Sequence, residues 1–590
     1  MPRSMSRSIV IHGHYYQPPR EDPWLGEIQR QLTAAPFHDW NARIEHECYS
    51  AVIAARVLDP DGHIRRIVNT LAYTSFNFGP TLLEWLERAA PATYDAVLDA
   101  DRVSAARLGG HGNAMAQAYH HTILPLASRR DKTTEVRWGI ADFRARFRRQ
   151  PEGMWLPETA VDDETLDVLA EEGIRYTVLA PHQVTAAPAH GLPGLYRTVN
   201  GREISIFVYD GPLSSAIAFG NLLSNGEAWA ARLTDGLLDD DTEPSHAELI
   251  SAATDGETYG HHHRFGEMGL AAVIDKLERR RDVCIENFAS FLARHPAETP
   301  VSLVAPSAWS CVHGIERWRA DCGCGASTTS PSQPWRAPLR AAMQLLADDV
   351  HAIFERDAGA YFADPWKARN DYMASQFAAH DAEPALDVGA PDIAPDVHAR
   401  ELLELERYAL QLFTSCAWFF DDVDRLEPLQ IMRYAARAID LAGAKGPALE
   451  KQLLARLAEA PSSDPNAGTA RDIYLRSAKP HVSPYASMAA AQALRRALGA
   501  ADASFRYCAI DQNANTVVVR ELRTGREHTF DVGVVLEGAT DGDLLRHARR
   551  AVVRIQPVGT SIESALYLTI EDMPESALLT LEADQLARAV

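Results

Sequence analysis

The sequence predicts an α/β fold in which short apolar strands alternate with longer helices around a barrel. Residues 8–14 and 67–71 read as short buried strands, whereas residues 41–58 and 82–90 carry apolar side chains at helical spacing. Repetition of this unit as far as a last strand at residues 301–304 predicts a barrel, complete or incomplete. Because such a barrel gathers the carboxyl ends of its strands on one face, we expect the functional groups on the loops that follow the strands.

Composition divides the 590-residue chain into three predicted domains. A chain of this length exceeds what one hydrophobic core usually serves. A polar, proline-containing connector at residues 326–334 ends a barrel domain of residues 1–330. Residues 331–500 are predicted to form a helical domain, interrupted by a polar loop at 381–394. Short apolar runs between turns predict a small β-rich C-terminal domain over residues 501–590.

Composition and charge indicate a globular protein that binds neither nucleic acid nor membranes. The chain is 46% hydrophobic and 23% charged, without a signature of disorder. Its net charge of −22 repels nucleic acid and anionic membranes and favours a neutral substrate. No apolar stretch reaches the roughly 20 residues that span a bilayer, and the apolar run at residues 9–11 is too short for a signal peptide. Because the seven cysteines are scattered and form no disulfide framework, we expect a cytoplasmic protein.

The stretch Trp155-Leu156-Pro157-Glu158 is a candidate catalytic turn. Pro157 fixes its own φ and cannot donate to a strand, so it sets the backbone just before Glu158 at the end of an apolar strand. A carboxylate beside an indole on a stiff loop could hold a charge against an apolar, sugar-sized surface. The alternative is a surface turn with a solvated glutamate.

A second acid, Asp255, follows the predicted strand at residues 248–253. Gly256 would allow a sharp turn or a close approach of a ligand. Strands of one barrel deliver their carboxyl ends to a common face, so Glu158 and Asp255 are expected to face each other. Two facing carboxyl groups are what cleavage of a glycosidic bond requires. Taken alone, Asp255 could equally be a turn residue.

Histidines accompany both acids. His12 and His14 end the first strand and point to the same side, because strand side chains alternate with a period of two. Together with His111 and His121 they are candidates for binding sugar hydroxyls, and the alternative for each is a histidine satisfied within the core.

Four ordered stretches resemble the motifs of glycoside hydrolase family 57. Residues 12–18, His-Gly-His-Tyr-Tyr-Gln-Pro, are similar to its N-terminal motif, with two tyrosines inserted before Gln17. Residues 119–126, Tyr-His-His-Thr-Ile-Leu-Pro-Leu, resemble its second region. Residues 155–158 match its nucleophile region, and residues 255–260, Asp-Gly-Glu-Thr-Tyr-Gly, match its acid/base region.

The resemblance implies an α/β fold built on an incomplete (β/α)7 barrel, followed by a helical domain and, in this chain, a small β-rich C-terminal unit. It also implies a retaining enzyme acting on α-linked glucans as a hydrolase or transferase. Glu158 would be its nucleophile and Asp255 its general acid/base. Stretches such as 306–318 and 364–372 resemble an uncharacterised branch of the family. Motif position then predicts the substrate-binding residues, which are His12, His14, Gln17, Trp24, His111, His121, Trp155, Tyr259, Trp309 and His313.

The sequence predicts no metal and no cofactor. Cys322 and Cys324, near Cys311 and His313, are zinc-ligand types, but their Cys-x-Cys spacing lacks a second Cys-x-x-Cys pair. One alternative is a zinc-dependent deacetylase or α-mannosidase on a related barrel, with ligands drawn from His12, His14, His111 and Asp255. Another is a glycan-binding protein without turnover. A carbohydrate is the only partner predicted, and the oligomeric state is left open.

Overall fold

The computed structural model describes residues 7–235, 247–325, 332–380, 396–537, 550–560 and 564–571. The predicted loop at 381–394 and most of the connector, residues 326–331, lie outside the described residues. Within the described ranges, no helix combines the length and the apolar character that crossing a bilayer requires.

Short strands dominate the first half of the chain, and longer strands return at its end. The strands are β1 Arg7–Tyr15, β2 Ala55–Leu58, β3 Ile64–Val68, β4 Ser75–Phe78, β5 Ala116–Gln117, β6 Met154–Trp155, β7 Tyr176–Leu179, β8 Gly194–Arg197, β9 Glu203–Val208, β10 Glu248–Asp255, β11 Cys284–Ile285, β12 Thr299–Pro300, β13 Cys508–Asn513, β14 Thr516–Glu521, β15 Glu527–Glu537, β16 Arg550–Pro557 and β17 Leu566–Glu571.

Helices lie between the barrel strands and fill most of the region after residue 332. The helices are α1 Trp40–Ile44, α2 Ser50–Val52, α3 Pro80–Ala89, α4 Pro91–Arg107, α5 Arg129–Phe147, α6 Asp163–Glu171, α7 Gly211–Phe219, α8 Gly226–Asp235, α9 Gly266–Leu277, α10 Phe288–Arg294, α11 Arg336–Asp357, α12 Pro365–His380, α13 Val397–Gln411, α14 Cys416–Phe419, α15 Leu426–Leu441, α16 Gly446–Leu457, α17 Ala470–Ile473 and α18 Pro484–Ala497.

Within the part of the chain that the structure describes, seven strands follow one another around an incomplete barrel, and β11 also pairs with β1. Strand β1 pairs with β10 along its whole length and with β4 at its carboxyl end. A bridge from Phe76 to Ala114 leads to β5, which pairs with β6. A bridge from Gly153 to Tyr176 leads to β7, which pairs with β9. Between β9 and β10 the link is a backbone hydrogen bond from Asp210 N to Ser251 O at 2.7 Å.

Strand β1 is the centre of this sheet because its side chains are apolar on both faces. Ile9, Val10 and Ile11 are almost completely buried, as expected for a parallel strand covered by helices. The helices that cover it also carry local start signals. For example, Asp162 accepts a hydrogen bond from Thr165 N at 2.8 Å and so begins α6, the helix after the Glu158 turn.

The second half of the chain packs helices and an antiparallel sheet into one continuous core. Helices α11, α13 and α15 contribute buried apolar side chains to it. Trp335, just before α11, and Trp418 of α14 are fully buried in the same core. The sheet β13-β14-β15-β16-β17 packs against α18. Trp138 of α5 belongs to the same core, and α5 lies along α12. The predicted α/β barrel with helical and β-rich regions is confirmed, whereas the boundaries at residues 330 and 500 stay predictions.

Two strand predictions were wrong in detail. Residues 67–71 were expected to supply a barrel strand, but β3 ends at Val68 and pairs antiparallel with β2, outside the barrel. The barrel strand is instead β4, a Ser-Phe-Asn-Phe stretch whose alternation of polar and apolar residues hides the burial of all four side chains. The expected strand at 301–304 is also displaced, because the strand there is β12, Thr299–Pro300, which pairs with β8.

Candidate active site

The two predicted catalytic acids lie at the carboxyl ends of two barrel strands. Asp255 is the last residue of β10, where its Cα lies opposite that of His14 on β1. Glu158 follows β6 by three residues. The charge of Glu158 contributes to the pKa of Asp255, so the two carboxyl groups share one electrostatic environment.

The backbone around Glu158 adopts an uncommon conformation. Glu158 and Thr159 have φ values of 57° and 48°, in the left-handed region that few residues other than glycine occupy. The turn is closed by hydrogen bonds from Thr159 N to Leu156 O at 2.8 Å and from Ala160 N to Pro157 O at 3.0 Å. Such strain persists only when the surroundings hold it in place, and it is common at functional sites.

Gln183 is the residue that holds this turn. Its side chain is fully buried. Gln183 Oε1 accepts from Thr159 Oγ1 at 2.8 Å and from Ala180 N at 2.9 Å. Its Nε2 donates to Thr159 O at 2.8 Å and to Ser307 Oγ at 3.2 Å. The amide therefore ties the Glu158 turn to two neighbouring loops.

The carboxylate of Glu158 is oriented by the loop at residues 309–310. Trp309 Nε1 donates to Glu158 Oε2 at 3.0 Å, and Ser310 Oγ donates to the same oxygen at 2.6 Å. Trp309 N also donates to Glu158 O at 3.0 Å. Among the described residues, no donor bonds to Oε1, so this oxygen is available to react. The pKa of Glu158 is raised overall, because burial outweighs the Ser310 bond, the charge of Arg317 and the Trp309 bond, which lower it.

The pKa of Asp255, unlike that of Glu158, has no cause acting to lower it. Its side chain is exposed to the cleft. Desolvation by the surrounding protein, followed by the charges of Glu158 and Glu257, raises the pKa of Asp255 to about 8. The group is therefore largely protonated at neutral pH, as a general acid must be.

Gly256 and Glu257 fix the loop after Asp255. A Cβ on Gly256 would lie 2.3 Å from the ring of Tyr15, so close packing requires glycine here. Glu257 Oε1 accepts from Gln17 Nε2 at 2.6 Å and from Tyr49 OH at 3.0 Å. The predicted Gln17 thus lies beside the acid/base loop, bound to Glu257.

Three of the histidines predicted for the site, His12, His14 and His121, form a stacked group beside Trp155. His12 stacks on Trp155 with ring centroids 4.5 Å apart, and His14 does so at 5.5 Å. His14 Nε2 lies 3.3 Å from His121 Nε2, and Tyr16 stacks on His121 at 3.7 Å.

Asn77 of β4 connects the two histidines of β1. Its Oδ1 accepts from His12 Nε2 at 3.1 Å, and its Nδ2 lies 2.9 Å from His14 Nδ1. Burial is the main cause that lowers the pKa of His12 to about 3 and that of His14 to about 4. Burial also holds the pKa of His121 well below its usual value. All three imidazoles are therefore neutral at pH 7.

Several predicted substrate contacts lie away from the cleft surface. Trp155 is fully buried between His12 and the edge of Trp309, so no sugar can stack on it in this arrangement. Tyr259 is buried too, with its hydroxyl 3.1 Å from Thr254 Oγ1. Trp24 is buried in the core of the second half, and its Nε1 donates to Asp440 at 3.1 Å. Both nitrogens of buried His12 have protein partners, Asn77 Oδ1 and Ser75 Oγ.

His111 lies at the opposite end of the barrel. Its Nδ1 is 2.8 Å from Glu152, which precedes β6, whereas Glu158 follows β6. His111 therefore cannot join His12, His14 and Asp255 around one metal ion, and the geometry does not favour the deacetylase or mannosidase alternative. His313 lies 3.5 Å from Cys324 Sγ, next to the loop that orients Glu158.

The sequence motifs missed the residues that orient the two acids. Ser310 and Glu257 stood within motif stretches but were not selected, and Gln183 and Asn77 gave no separate signal. Ser415 of the second half also belongs here, because its hydroxyl lies 2.6 Å from His121 Nδ1 and its N donates to His121 O at 3.1 Å.

Residues 107–301 match the model described as glycosyl hydrolase family 57. The match covers 195 of the 590 residues, so this part of the chain is similar to that family. Residues 332–533 match a second model, described as a domain of unknown function (DUF3536). The first matched region contains Glu158 and Asp255, and the second contains Ser415. Among curated proteins, none matches this chain.

One of three similar solved structures, an amylase, aligns well enough to indicate a shared fold. A maltose-forming amylase of exo type from Pyrococcus sp. ST04 aligns with a TM-score of 0.59 at 16% identity, over 81% of this chain and 89% of that chain. A branching enzyme from Pyrococcus horikoshii aligns with a TM-score of 0.46 at 15% identity, over 77% of this chain and 89% of that chain. A 4-alpha-glucanotransferase from Thermococcus litoralis aligns with a TM-score of 0.44 at 13% identity, over 94% of this chain and 85% of that chain.

Proposed function

We propose that this protein is a retaining α-glycoside hydrolase or α-glucan transferase in which Glu158 is the nucleophile and Asp255 the general acid/base. The family 57 match supports glycoside chemistry. The amylase that shares its fold supports an α-linked glucan as the substrate class. A neutral glucan also suits a chain with a net charge of −22.

The observation that carries the proposal is the contrast between the two acids. Two bonds to Oε2 orient Glu158 and offset part of the rise in its pKa that burial causes, which favours the carboxylate that a nucleophile needs. Asp255, with a pKa of about 8, keeps the proton that a leaving sugar oxygen needs. Two carboxyl groups with different proton occupancy are the arrangement that retaining glycoside cleavage uses.

In this mechanism Glu158 attacks the anomeric carbon while Asp255 protonates the glycosidic oxygen. The bond from the anomeric carbon to that oxygen breaks, and a glycosyl ester of Glu158 forms. Asp255, now a carboxylate, takes a proton from water in hydrolysis or from a sugar hydroxyl in transfer. The resulting oxygen nucleophile displaces Glu158, so two inversions give net retention.

The test is to incubate the protein with α-linked glucose oligomers and to follow product anomers by NMR. We expect α-anomers to appear first, with longer products if a sugar is the acceptor. First-formed β-anomers would contradict the assignment of Glu158 as nucleophile.

A further inference from the structure

Four side chains next to the loop at residues 309–310, which orients Glu158, place atoms that can bind a metal close together. The thiols of Cys311, Cys322 and Cys324 and a ring nitrogen of His313 all lie within 4.8 Å of one another. In a tetrahedral zinc site, bonds of about 2.3 Å to sulfur place neighbouring ligands about 3.8 Å apart. The four atoms therefore need only a small contraction to surround one ion.

The chemistry of the ligands selects the ion. Thiolates and imidazole favour zinc over magnesium or calcium, which prefer oxygen ligands. Four protein ligands also fill a tetrahedral shell, so the site is structural and has no open position for substrate. Sequence spacing alone did not reveal the site, because the loop at 312–321 brings Cys311 and His313 back to the Cys322–Cys324 pair.

The surroundings complement the charge of such a site. Zn²⁺ with three thiolates carries a net charge of −1. Arg317 lies inside the loop and interacts electrostatically with all three cysteines, and Arg336 Nη1 lies 4.0 Å from Cys322 Sγ. Both guanidinium groups are in buried residues, where an anionic centre would offset their cost of burial.

We propose that Cys311, His313, Cys322 and Cys324 bind one Zn²⁺ that holds the loop carrying Trp309 and Ser310 against Glu158. Cys311 follows Ser310 directly, so the ion anchors the chain one residue from a donor to the carboxylate. Arg317, which lies between these ligands in the sequence, donates from Nη1 to Ser310 O at 3.1 Å. His313 is thus assigned to the metal, not to the substrate.

The first experiment measures zinc in the full-length protein after loading with zinc sulfate and desalting. We expect about one zinc per chain, and at least about tenfold less in the double variant Cys322→Ser/Cys324→Ser. The matched control is Cys284→Ser, a half-buried thiol outside the cluster, which should keep the full amount. Wild-type protein that keeps less than about a tenth of an equivalent, or a double variant that keeps it all, would overturn the proposal.

A second measurement uses only the wild-type protein, so it does not depend on whether a variant folds. Cobalt exchanged into the wild-type protein should give the intense visible bands of a tetrahedral ion and a thiolate charge-transfer band. A weak octahedral spectrum, or thiol titration that shows a disulfide among the three cysteines, would overturn zinc binding.

The positioning role rests on the proposed function of Glu158, and zinc binding does not. Glu158→Gln should therefore bind zinc like the wild type even though turnover is lost. His313→Ala should lose zinc and lower kcat more than it changes KM, and His313→Cys, which restores a ligand, should recover both. A His313→Ala protein that lacks zinc but keeps the wild-type kcat would overturn the positioning role.

Discussion

Glu158 and Asp255 present the same functional group in two environments, and their roles can be separated by chemistry at the residue scale. In Glu158→Ala, azide can occupy the vacated face and attack an aryl α-glucoside directly, which inverts the anomeric carbon. In Asp255→Ala, the glycosyl ester still forms with such a good leaving group, and azide then displaces Glu158 with net retention. We therefore expect a β-glycosyl azide from the first variant and an α-glycosyl azide from the second, identified by NMR.

Without azide, Glu158→Ala should lower kcat by at least about 10³-fold and Asp255→Ala by about 10²–10⁴-fold with an oligosaccharide. Glu298→Gln is the matched control, because Glu298 is an exposed carboxylate whose loss should leave kcat unchanged. The same azide anomer from both alanine variants would refute the division of roles.

The pH dependence of kcat/KM should report the same two groups. Activity should fall as pH rises through about 8, because Asp255 then loses the proton that it donates. On the acid side it should fall as Glu158 becomes protonated. Ser310→Ala removes a bond that stabilises the Glu158 carboxylate, so it should move the acid limb to higher pH and leave the alkaline limb in place.

Initial rates measured with one α-linked oligosaccharide from about pH 4 to 10 would show both limbs. Ser128→Ala is a suitable control, since Ser128 caps α5 away from the two acids. An unchanged acid limb in Ser310→Ala would mean that Glu158 does not set it.

At the scale of elements, the Glu158 turn depends on one amide group. Gln183→Met keeps the length of the side chain but removes four hydrogen bonds, two of them to Thr159. Lost bonds and unsatisfied buried groups should lower the free energy of unfolding by about 2–4 kcal/mol. Because the left-handed turn would relax, kcat should fall more than KM changes.

Urea denaturation and steady-state kinetics of Gln183→Met would measure both effects, with Gln150→Met, an exposed glutamine, as the control. A variant that is less stable but has the wild-type kcat would show that Gln183 supports the fold without positioning Glu158.

Elements differ in how far the sequence could predict them. Strand β1 and the turn at Glu158 were predictable, because an apolar run and a proline are local signals. Strands β5 and β6 have two residues each, too few for periodicity to show. The partners of the acids were not predictable either, since Ser310 meets Glu158 across 152 residues of sequence through tertiary packing alone.

At the scale of the whole molecule, the second half of the chain packs against the barrel beside the site. Thr414 bridges to Thr122, and the next residue, Ser415, binds His121, which stacks with Tyr16. The site is therefore built from both matched domains. This packing covers His121, which lies against His14. Because burial keeps His121, His14 and His12 neutral, the stability of the fold is coupled to pH.

The buried histidines and Asp255 should affect stability with opposite signs. For His12 and His14 the folded pKa values, about 3 and 4, lie below the ordinary value of 6.5. Their stabilisation is complete above pH 6.5 and is lost as pH falls towards 4. For Asp255 the folded pKa of about 8 lies above 3.8, so its contribution is lost as pH rises through about 8.

Thermal unfolding from pH 4 to 9 should separate the two contributions. His12→Gln should flatten the loss of stability between pH 6.5 and 4, whereas His63→Gln, which alters an exposed histidine, should not. Asp255→Asn should gain in melting temperature over the wild type as pH rises towards 8, because a neutral amide never acquires the charge that the cleft disfavours. A difference in melting temperature between Asp255→Asn and the wild type that stayed constant across this range would mean that Asp255 has the same pKa in the folded and unfolded chains. Asp255 would then be ionised at neutral pH and could not act as the proton donor.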